Sequence, residues 1–161
     1  MKPNVSAQQV ETKVLLPFLE ELLAAGKQIR MTVTGSSMYP LLRDRYDSVL
    51  LSPLKTPKKY DIVLFVRDTG EAVLHRIVKC RKEGYTFLGD NQLILEGPIA
   101  RSQMVAVVTG FYRGEQYVDN NTLWYRVYRV IWCRAWCFRR WLLPLALSCG
   151  NAIKRMKRTE Q

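Results

Sequence analysis

The sequence has few of the residues that build metal sites and membrane spans. It contains one histidine and four cysteines, none of them in a Cys-x-x-Cys pair, so we expect no zinc site and no other bound cofactor. It has no uncharged apolar run of about 18 residues, so no conventional transmembrane helix is predicted. Residues 1–9 lack the charged and then apolar pattern of a signal peptide. These absences predict a protein of the cytoplasm or of a membrane surface, peripheral and on the cytoplasmic face.

Positive charge is abundant and unevenly distributed. The chain of 161 residues carries a net charge of +11. Residues 111–161 contain ten Lys/Arg and three Asp/Glu, so this segment supplies +7 of that total, and all four tryptophans lie in it as well. Hydrophobic residues make up 48% and charged residues 24%, which is typical of a globular protein. The C-terminal segment is therefore expected to differ in kind from the rest of the chain.

The hydrophobic periodicity divides the chain into three segments. Residues 1–26 form an N-terminal amphipathic segment, with residues 7–25 as one helix or as two short helices because of Pro17. Residues 27–114 alternate short β-type runs with turn residues, which predicts a mainly β domain with a coiled, partly closed antiparallel sheet and flanking helices. Residues 115–161 form a basic, tryptophan-rich helical tail. The predicted strands are Ile29–Thr34, Ser48–Pro53, Ile62–Arg67, Ala72–Arg81, Tyr85–Leu88 and Met104–Tyr112.

The predicted tail helix begins after a cap at Asn121 or Thr122 and ends before Pro144. Its apolar face contains Trp124, Val127, Tyr128, Ile131, Ala135, Phe138 and Leu142, and arginines gather on the other side. Such a helix suits the surface of a membrane. Packing of the same face on the β domain or on another subunit of a homo-oligomer explains the pattern equally well. Both interpretations stay open, and nucleic acid is not an expected partner.

The residues with chemical potential are individually ordinary. The stretch Thr34-Gly35-Ser36-Ser37-Met38-Tyr39-Pro40 resembles a turn that leaves a hydroxyl exposed after a strand. His75 lies in a predicted strand, where a lone histidine is usually structural. Asp90 follows Gly89 in a turn, where aspartate commonly accepts a local backbone hydrogen bond.

Together these stretches resemble the type I signal peptidase superfamily, which also contains the self-cleaving SOS repressors. Ser37-Met38-Tyr39-Pro40 is similar to its nucleophile box, and Thr34-Gly35 is similar to the preceding residues of the self-cleaving branch. Two strand boxes match at residues 46–50 and 60–65. His75-Arg76 is similar to the base box, Gly89-Asp90-Asn91 to the Gly-Asp-Asn box, and residues 103–105 to the closing strand. The similarity spans about residues 29–112.

The resemblance implies a serine endopeptidase without a cofactor. Ser37 would be the nucleophile, His75 the base and Asp90 the group that orients the imidazole. The oxyanion and supporting positions would be Gly35, Ser36, Thr34 and Arg76, with Val33 and Met38 contacting an extended leader or precursor peptide. The chain departs from the family pattern at Tyr46 and Tyr60, which stand where the boxes have glycine. Gly35 stands where many signal peptidases have serine, and histidine as base resembles the endoplasmic-reticulum branch.

Two other functions remain compatible with the sequence. The Ala25-Gly26 bond resembles the bond that the self-cleaving relatives cut, which suggests a self-processing regulator. Gly26 precedes Ser37 by 11 positions, and an extended linker of that length reaches about 36 Å. The alternative is that Gly26 only ends a helix. The third reading is a non-catalytic binding module with the same fold.

Overall fold

An open antiparallel sheet is the framework of the described chain. The computed structural model describes residues 7–135, with side chains from residue 15 onward. Its elements are α1 (Ala7–Ala24), β1 (Ile29–Thr32), β2 (Asp47–Pro53), β3 (Ile62–Val66), β4 (Ala72–Arg81), β5 (Gly84–Leu88), β6 (Glu96–Ile99), β7 (Met104–Arg113), β8 (Gln116–Asp119) and α2 (Leu123–Arg134). The strand order is β1-β2-β7-β3-β4-β5-β6, with β8 paired to β7. The predicted mainly β class with one N-terminal and one C-terminal helix is confirmed, and the sheet is not closed.

Both faces of the sheet carry a hydrophobic core. Ile62 and Leu64 of β3 belong to the larger cluster, which includes Leu23 of α1 and Tyr125 of α2. Val63 and the other alternate residues of β3 belong to a second cluster on the opposite face. A strand buried on both faces needs an uninterrupted apolar run, which is what Ile62–Val66 provides.

The sequence located most elements and missed two strands. All six predicted strands are present within two residues of their predicted ends, and α1 is one helix that contains Pro17. β6 was not predicted because Gly97-Pro98 has the composition of a turn. β8 extends the sheet to Asp119, beyond the predicted boundary at 114. The predictions for the tail after residue 135, including its end before Pro144, lie outside the described residues.

The end of α1 has a well-defined cap. Gly26 adopts a positive φ of 76°, and its N–H donates to Leu23 O at 2.9 Å while the Lys27 N–H donates to Leu22 O at 3.0 Å. This pair of hydrogen bonds with a left-handed glycine is a Schellman motif, which satisfies the last carbonyls of a helix. The expectation that Gly26 ends a helix is confirmed.

α2 packs on the sheet through Tyr125, which lies outside the predicted apolar face, and through Tyr128, which belongs to it. Thr122 precedes the first turn as expected, although its side chain makes no capping hydrogen bond. Tyr125 is the buried residue of this helix, and its ring meets Phe111 of β7 at 5.5 Å between centroids. Among described residues, no helix is long and apolar enough to cross a membrane.

Candidate active site

The loop that carries Ser37 is anchored from both sides. Gly35 has a φ of 87°, a conformation that glycine adopts without steric cost, and its N–H donates to Asp44 Oδ1 at 2.8 Å. Met38 is buried in the larger core cluster, and its carbonyl accepts the Leu42 N–H at 3.0 Å. Ser37, between these anchors, is partly exposed. The serine is therefore held at the surface of a well-packed loop.

The turn at Gly89–Asn91 holds the Ser37 loop through backbone hydrogen bonds. The Asn91 N–H donates to Ser37 O at 2.8 Å, and Asn91 Nδ2 donates to Ser36 O at 3.2 Å. A Cβ added at Gly89 would lie 2.7 Å from Ser37 O. Since real Cβ atoms do not come that close to a carbonyl oxygen, glycine is required at this position for the loop and the turn to meet.

His75 lies on β4, and this turn follows the end of the neighbouring strand β5. In the register of β4 and β5, Arg76 pairs with Leu88, so Gly89 continues the strand to a position opposite His75. Neighbouring strands are about 4.8 Å apart, so the backbone of His75, the turn and the Ser37 loop lie in one region. Within the side chains of residues 15–135, no hydrogen bond joins Ser37 to His75.

A carboxylate that the sequence analysis missed lies beside His75. Nδ1 of this buried imidazole is 3.3 Å from Glu96 Oε2, although the two groups are not aligned as a hydrogen bond. Burial lowers the pKa of His75 below its ordinary value, and the opposing charge of Glu96 offsets part of that effect. His75 is therefore uncharged at neutral pH, the state that a general base requires.

Arg67 fixes Glu96 in place. Its Nη2 donates to Glu96 Oε2 at 2.8 Å, and its Nε donates to the other oxygen. These hydrogen bonds from Arg67 lower the pKa of Glu96 below its ordinary value, against the effect of burial. Nη1 of the same guanidinium donates to Glu71 Oε2 at 2.6 Å. Glu96 escaped the sequence analysis because β6 was taken for a turn, and an acidic residue before Gly-Pro was the only available signal.

The structure gives Asp90 a different partner from the one we expected. Its Oδ1 accepts from Arg76 Nε at 2.8 Å and its Oδ2 from Nη2 at 2.7 Å, and both side chains are buried. Burial lowers the pKa of Arg76, but the charge and hydrogen bonds of Asp90 outweigh it and hold that pKa well above the ordinary value. Arg76 thus has the supporting ion pair predicted for it, whereas the direct role of Asp90 in catalysis stays a prediction.

The same ion pair connects the turn to α2. Nη1 of Arg76 donates to Tyr125 OH at 3.1 Å and to Tyr60 O at 3.1 Å. The indole N–H of Trp132 donates to the backbone carbonyl of Asp90 at 3.2 Å. These hydrogen bonds connect α2 to the turn at Gly89–Asn91, which holds the Ser37 loop.

The residues predicted to support catalysis and those predicted to contact substrate differ in exposure and in the hydrogen bonds they already make. Among the hydrogen bonds of residues 15–135, none uses the Ser37 N–H, so this group can face a developing oxyanion. The Gly35 N–H is already engaged by Asp44, and Thr34 and Ser36 are exposed. Val33 and Met38 belong to the buried core, so their contact with substrate stays a prediction.

One departure from the family pattern has a visible backbone consequence. Tyr60, at a family glycine position, has a φ of 77°, which costs a residue with a Cβ about 1–2 kcal/mol. Near the other family glycine position, Arg45 carries a positive φ of 55°, whereas Tyr46 does not. Tyr60 thus has a left-handed backbone conformation that glycine adopts without steric cost.

A separate open groove of about 820 Å³ lies between the end of α1 and the β2–β7 face. Gln28, Ser52, Asp61 and Thr109 are among its lining residues, and neither Ser37 nor His75 is. The Ser52 hydroxyl in this groove contacts Thr109 Oγ1 and Gln28 Nε2, both at 2.8 Å, rather than a base. Among described residues, no group of three or more His, Cys, Asp or Glu side chains could hold a metal ion.

Comparison with known proteins assigns no family to the chain. No protein-family model matches it, and no curated protein shows significant sequence similarity to it.

Proposed function

We propose that the protein is a serine endopeptidase of the signal-peptidase-like type, with Ser37 as nucleophile and His75 as base. The observation that carries the proposal is the environment of His75. It is a buried imidazole with a depressed pKa and the Glu96 carboxylate 3.3 Å from Nδ1, and it lies opposite the turn that binds the Ser37 loop. Nucleophile, base and an orienting acid are the recurring parts of serine peptidase sites.

The mechanism is acyl transfer through a covalent intermediate. His75 accepts the proton of Ser37 Oγ as that oxygen attacks the peptide carbonyl, and then gives it to the leaving amine. Glu96 at Nδ1 favours the tautomer whose Nε2 accepts the proton, and it stabilises the imidazolium. The Ser37 N–H faces the oxyanion, a contribution whose loss typically costs about 10²–10³ in rate. Water then hydrolyses the acyl-enzyme by the same proton transfers in reverse order.

An extended peptide suits the edge of the sheet that leads into Ser37. β1 is the first strand in the sheet order, so one of its edges has no neighbouring strand among the described elements. Val33, just after β1, uses both backbone groups toward the interior: its N–H donates to Asp47 O at 3.0 Å and its carbonyl accepts from Arg45 at 2.8 Å. With a period of two, Arg30 and Thr32 direct their backbone groups to the outer edge, where a leader peptide can add as a strand.

The test is cleavage of an alanine-rich leader peptide by the purified full chain. We expect cleavage by the wild type and loss of it in Ser37→Ala and His75→Ala, with an acyl-enzyme on Ser37 visible by mass spectrometry at early times. Ser36→Ala is the matched control, since it removes the neighbouring hydroxyl but leaves the proposed nucleophile. Equal cleavage by wild type and Ser37→Ala would contradict the proposal.

A non-catalytic binding module is the second candidate, and one observation favours it. No hydrogen bond joins Ser37 to His75 among the described side chains. A working Ser-His dyad needs this hydrogen bond, or a longer contact between the two side chains that shortens when substrate binds. The two candidates differ in the same assay. A binding module would retain the intact peptide with similar affinity in wild type and Ser37→Ala, and would release no product.

Self-processing at Ala25-Gly26 has less support. That bond lies in the Schellman motif at the end of α1, and a peptidase of this type needs an extended substrate, so the cap would have to unwind first. Intact mass after prolonged alkaline incubation separates this function from the others, because a self-processing chain would shorten with time. For the peptidase we propose a location in the cytoplasm or at the cytoplasmic face of a membrane.

A further inference from the structure

α2 uses one face to pack on the sheet. Tyr125 is 1% exposed, and the rings of Tyr128 and Trp132 stack at 5.6 Å between centroids on the same side. Positions 125, 128 and 132 recur at the spacing of one helix face. This face also accepts a hydrogen bond from Arg76 through Tyr125 OH and donates one to the carbonyl of Asp90 through Trp132. Trp124, at the margin of this face, adds an edge contact with Phe111 at 6.2 Å between ring centroids.

The other face of α2 carries a stripe of exposed large apolar side chains. Leu123 is 76% exposed, Trp124 46%, Val127 48% and Ile131 60%. At 100° per residue these four positions cover one side of the helix, away from Tyr125. Single exposed apolar residues are ordinary, but a contiguous stripe on one helix marks an interaction surface.

The charge around the stripe has one sign. The helix sequence contains no acidic residue. At 100° per residue Arg134 lies within the arc of the stripe and Arg126 lies beside it, and both are exposed, whereas Arg129 lies on the opposite side of the helix. The Arg113 guanidinium lies 5.9 Å from the centre of the Trp124 ring, so a further cation borders the stripe. The complement of this surface is an apolar layer covered by negative charge.

We propose that this outer face of α2 docks on an anionic lipid surface, with the helix lying in the plane of the interface. Twelve residues at 1.5 Å each span about 18 Å, which is shorter than the ~30 Å hydrocarbon layer. Apolar side chains enter the acyl boundary, tryptophan lies at the headgroup level and arginines contact lipid phosphates. A nucleic-acid surface would offer no partner for Leu123, Val127 and Ile131, and a protein partner gives no reason for arginine alone at the border.

The experiment measures co-sedimentation of the full chain with vesicles. Phosphatidylcholine vesicles with about one third phosphatidylglycerol are compared with pure phosphatidylcholine, and anionic vesicles are expected to bind more protein because each surface arginine contributes about fivefold in affinity. Ile131→Glu and Val127→Glu are expected to lower binding at least about tenfold, since a charge replaces an inserted apolar group. Arg134→Gln is expected to lower it about fivefold.

Control variants distinguish vesicle binding through this surface from nonspecific binding by other exposed basic or apolar residues. Leu15→Glu places the same charge at a 54% exposed leucine of α1, and Lys82→Gln removes an exposed cation from the β4–β5 turn; both are expected to bind as wild type does. Val127→Thr, which keeps the shape of valine, is expected to weaken binding less than Val127→Glu, and circular dichroism checks that each variant is folded.

Three results would overturn the proposal. One is unchanged vesicle binding in Ile131→Glu and Val127→Glu, and another is equal binding to neutral and anionic vesicles. The third is self-association that the same two substitutions abolish, measured by light scattering without lipid, because a second copy of the chain would then be the occupant. Ser37→Ala binds vesicles normally if the proposal holds, so its failure is distinguishable from failure of the peptidase function.

Discussion

Glu96 Oε2 lies 3.3 Å from Nδ1 of His75, and Arg67 holds the same carboxylate from its other side. The contact joins residues on β6 and β4, with β5 between these strands in the sheet order. The carboxylate beside the imidazole therefore belongs to β6, one of the two strands that the sequence analysis missed.

Glu96→Gln is expected to lower kcat about 10²–10⁴-fold with little change in KM, because the imidazole loses the carboxylate that favours its reactive tautomer. Glu71→Gln is the matched control: Glu71 also binds Arg67, at 2.6 Å, without approaching His75. Peptide cleavage kinetics of the two variants provide the measurement. If both variants lose the same activity, Glu96 acts only by anchoring Arg67.

The pH dependence should report His75 directly, because it is the only histidine in the sequence. Burial lowers its pKa below the ordinary 6.5, so we expect the imidazole proton NMR signal to titrate below that value. Cleavage, as kcat/KM, should rise with pH through the same range and then level off. A midpoint at or above the ordinary value would contradict the proposed environment of the base. In Glu96→Gln the midpoint should fall further, since the negative charge of Glu96 raises this pKa.

The same titration has a defined effect on stability. The folded state resists protonation of His75, whereas the unfolded chain accepts a proton near 6.5. The free energy of unfolding should therefore decrease as the pH falls from that value toward the lower folded pKa, since the unfolded state then binds more protons. Urea unfolding of wild type and His75→Gln across this range measures the difference. A His75→Gln variant with the same loss of stability would assign the effect to other groups.

Asp90→Asn is expected to destabilise the protein by about 3–5 kcal/mol, because it leaves the buried charge of Arg76 uncompensated. Replacing both members, as Arg76→Met with Asp90→Leu, should cost less than the sum of the single changes. Glu115→Gln is the control at the surface, where Arg30 and Glu115 are 3.8 Å apart and the Glu115 side chain is 93% exposed; about 0–1 kcal/mol is expected there. Denaturant unfolding of the wild type and of each of these variants provides the measurement. An Asp90→Asn cost as small as that of Glu115→Gln would contradict the buried-pair assignment.

Tyr60→Gly should be more stable than Tyr46→Gly by about 1–2 kcal/mol, because only Tyr60 has the left-handed backbone that glycine relieves. Tyr46 has an ordinary backbone, and its ring lies 4.1 Å from the Arg43 guanidinium, so its replacement removes a contact and relieves nothing. Thermal or urea unfolding of the two variants provides the comparison. Equal losses of stability would show that the φ of 77° at Tyr60 carries no cost.

The linear sequence determined the local structure and the chemical candidates. Period-two alternation and turn residues gave the ends of six strands, and Gly26 gave the end of α1, because these features depend on interactions within a few residues. The residue types at Ser37 and His75, and the order in which they occur, also come from the sequence alone. β6 was missed because Gly97-Pro98 is locally a turn signal, although pairing with β5 draws it into the sheet.

Tertiary structure decided which of these groups meet. His75 and Arg76 are neighbours in sequence, but successive strand residues point to opposite faces of a sheet. Arg76 therefore reaches Asp90 on one face, while His75 reaches Glu96 on the other, through strand pairings that no local pattern encodes. The packed face of α2 was decided in the same way, because Tyr125 and Trp132 find hydrogen-bond partners on the β domain. Among the residues from 15 to 135, none covers the remaining apolar stripe, and the arginines beside it favour an anionic membrane.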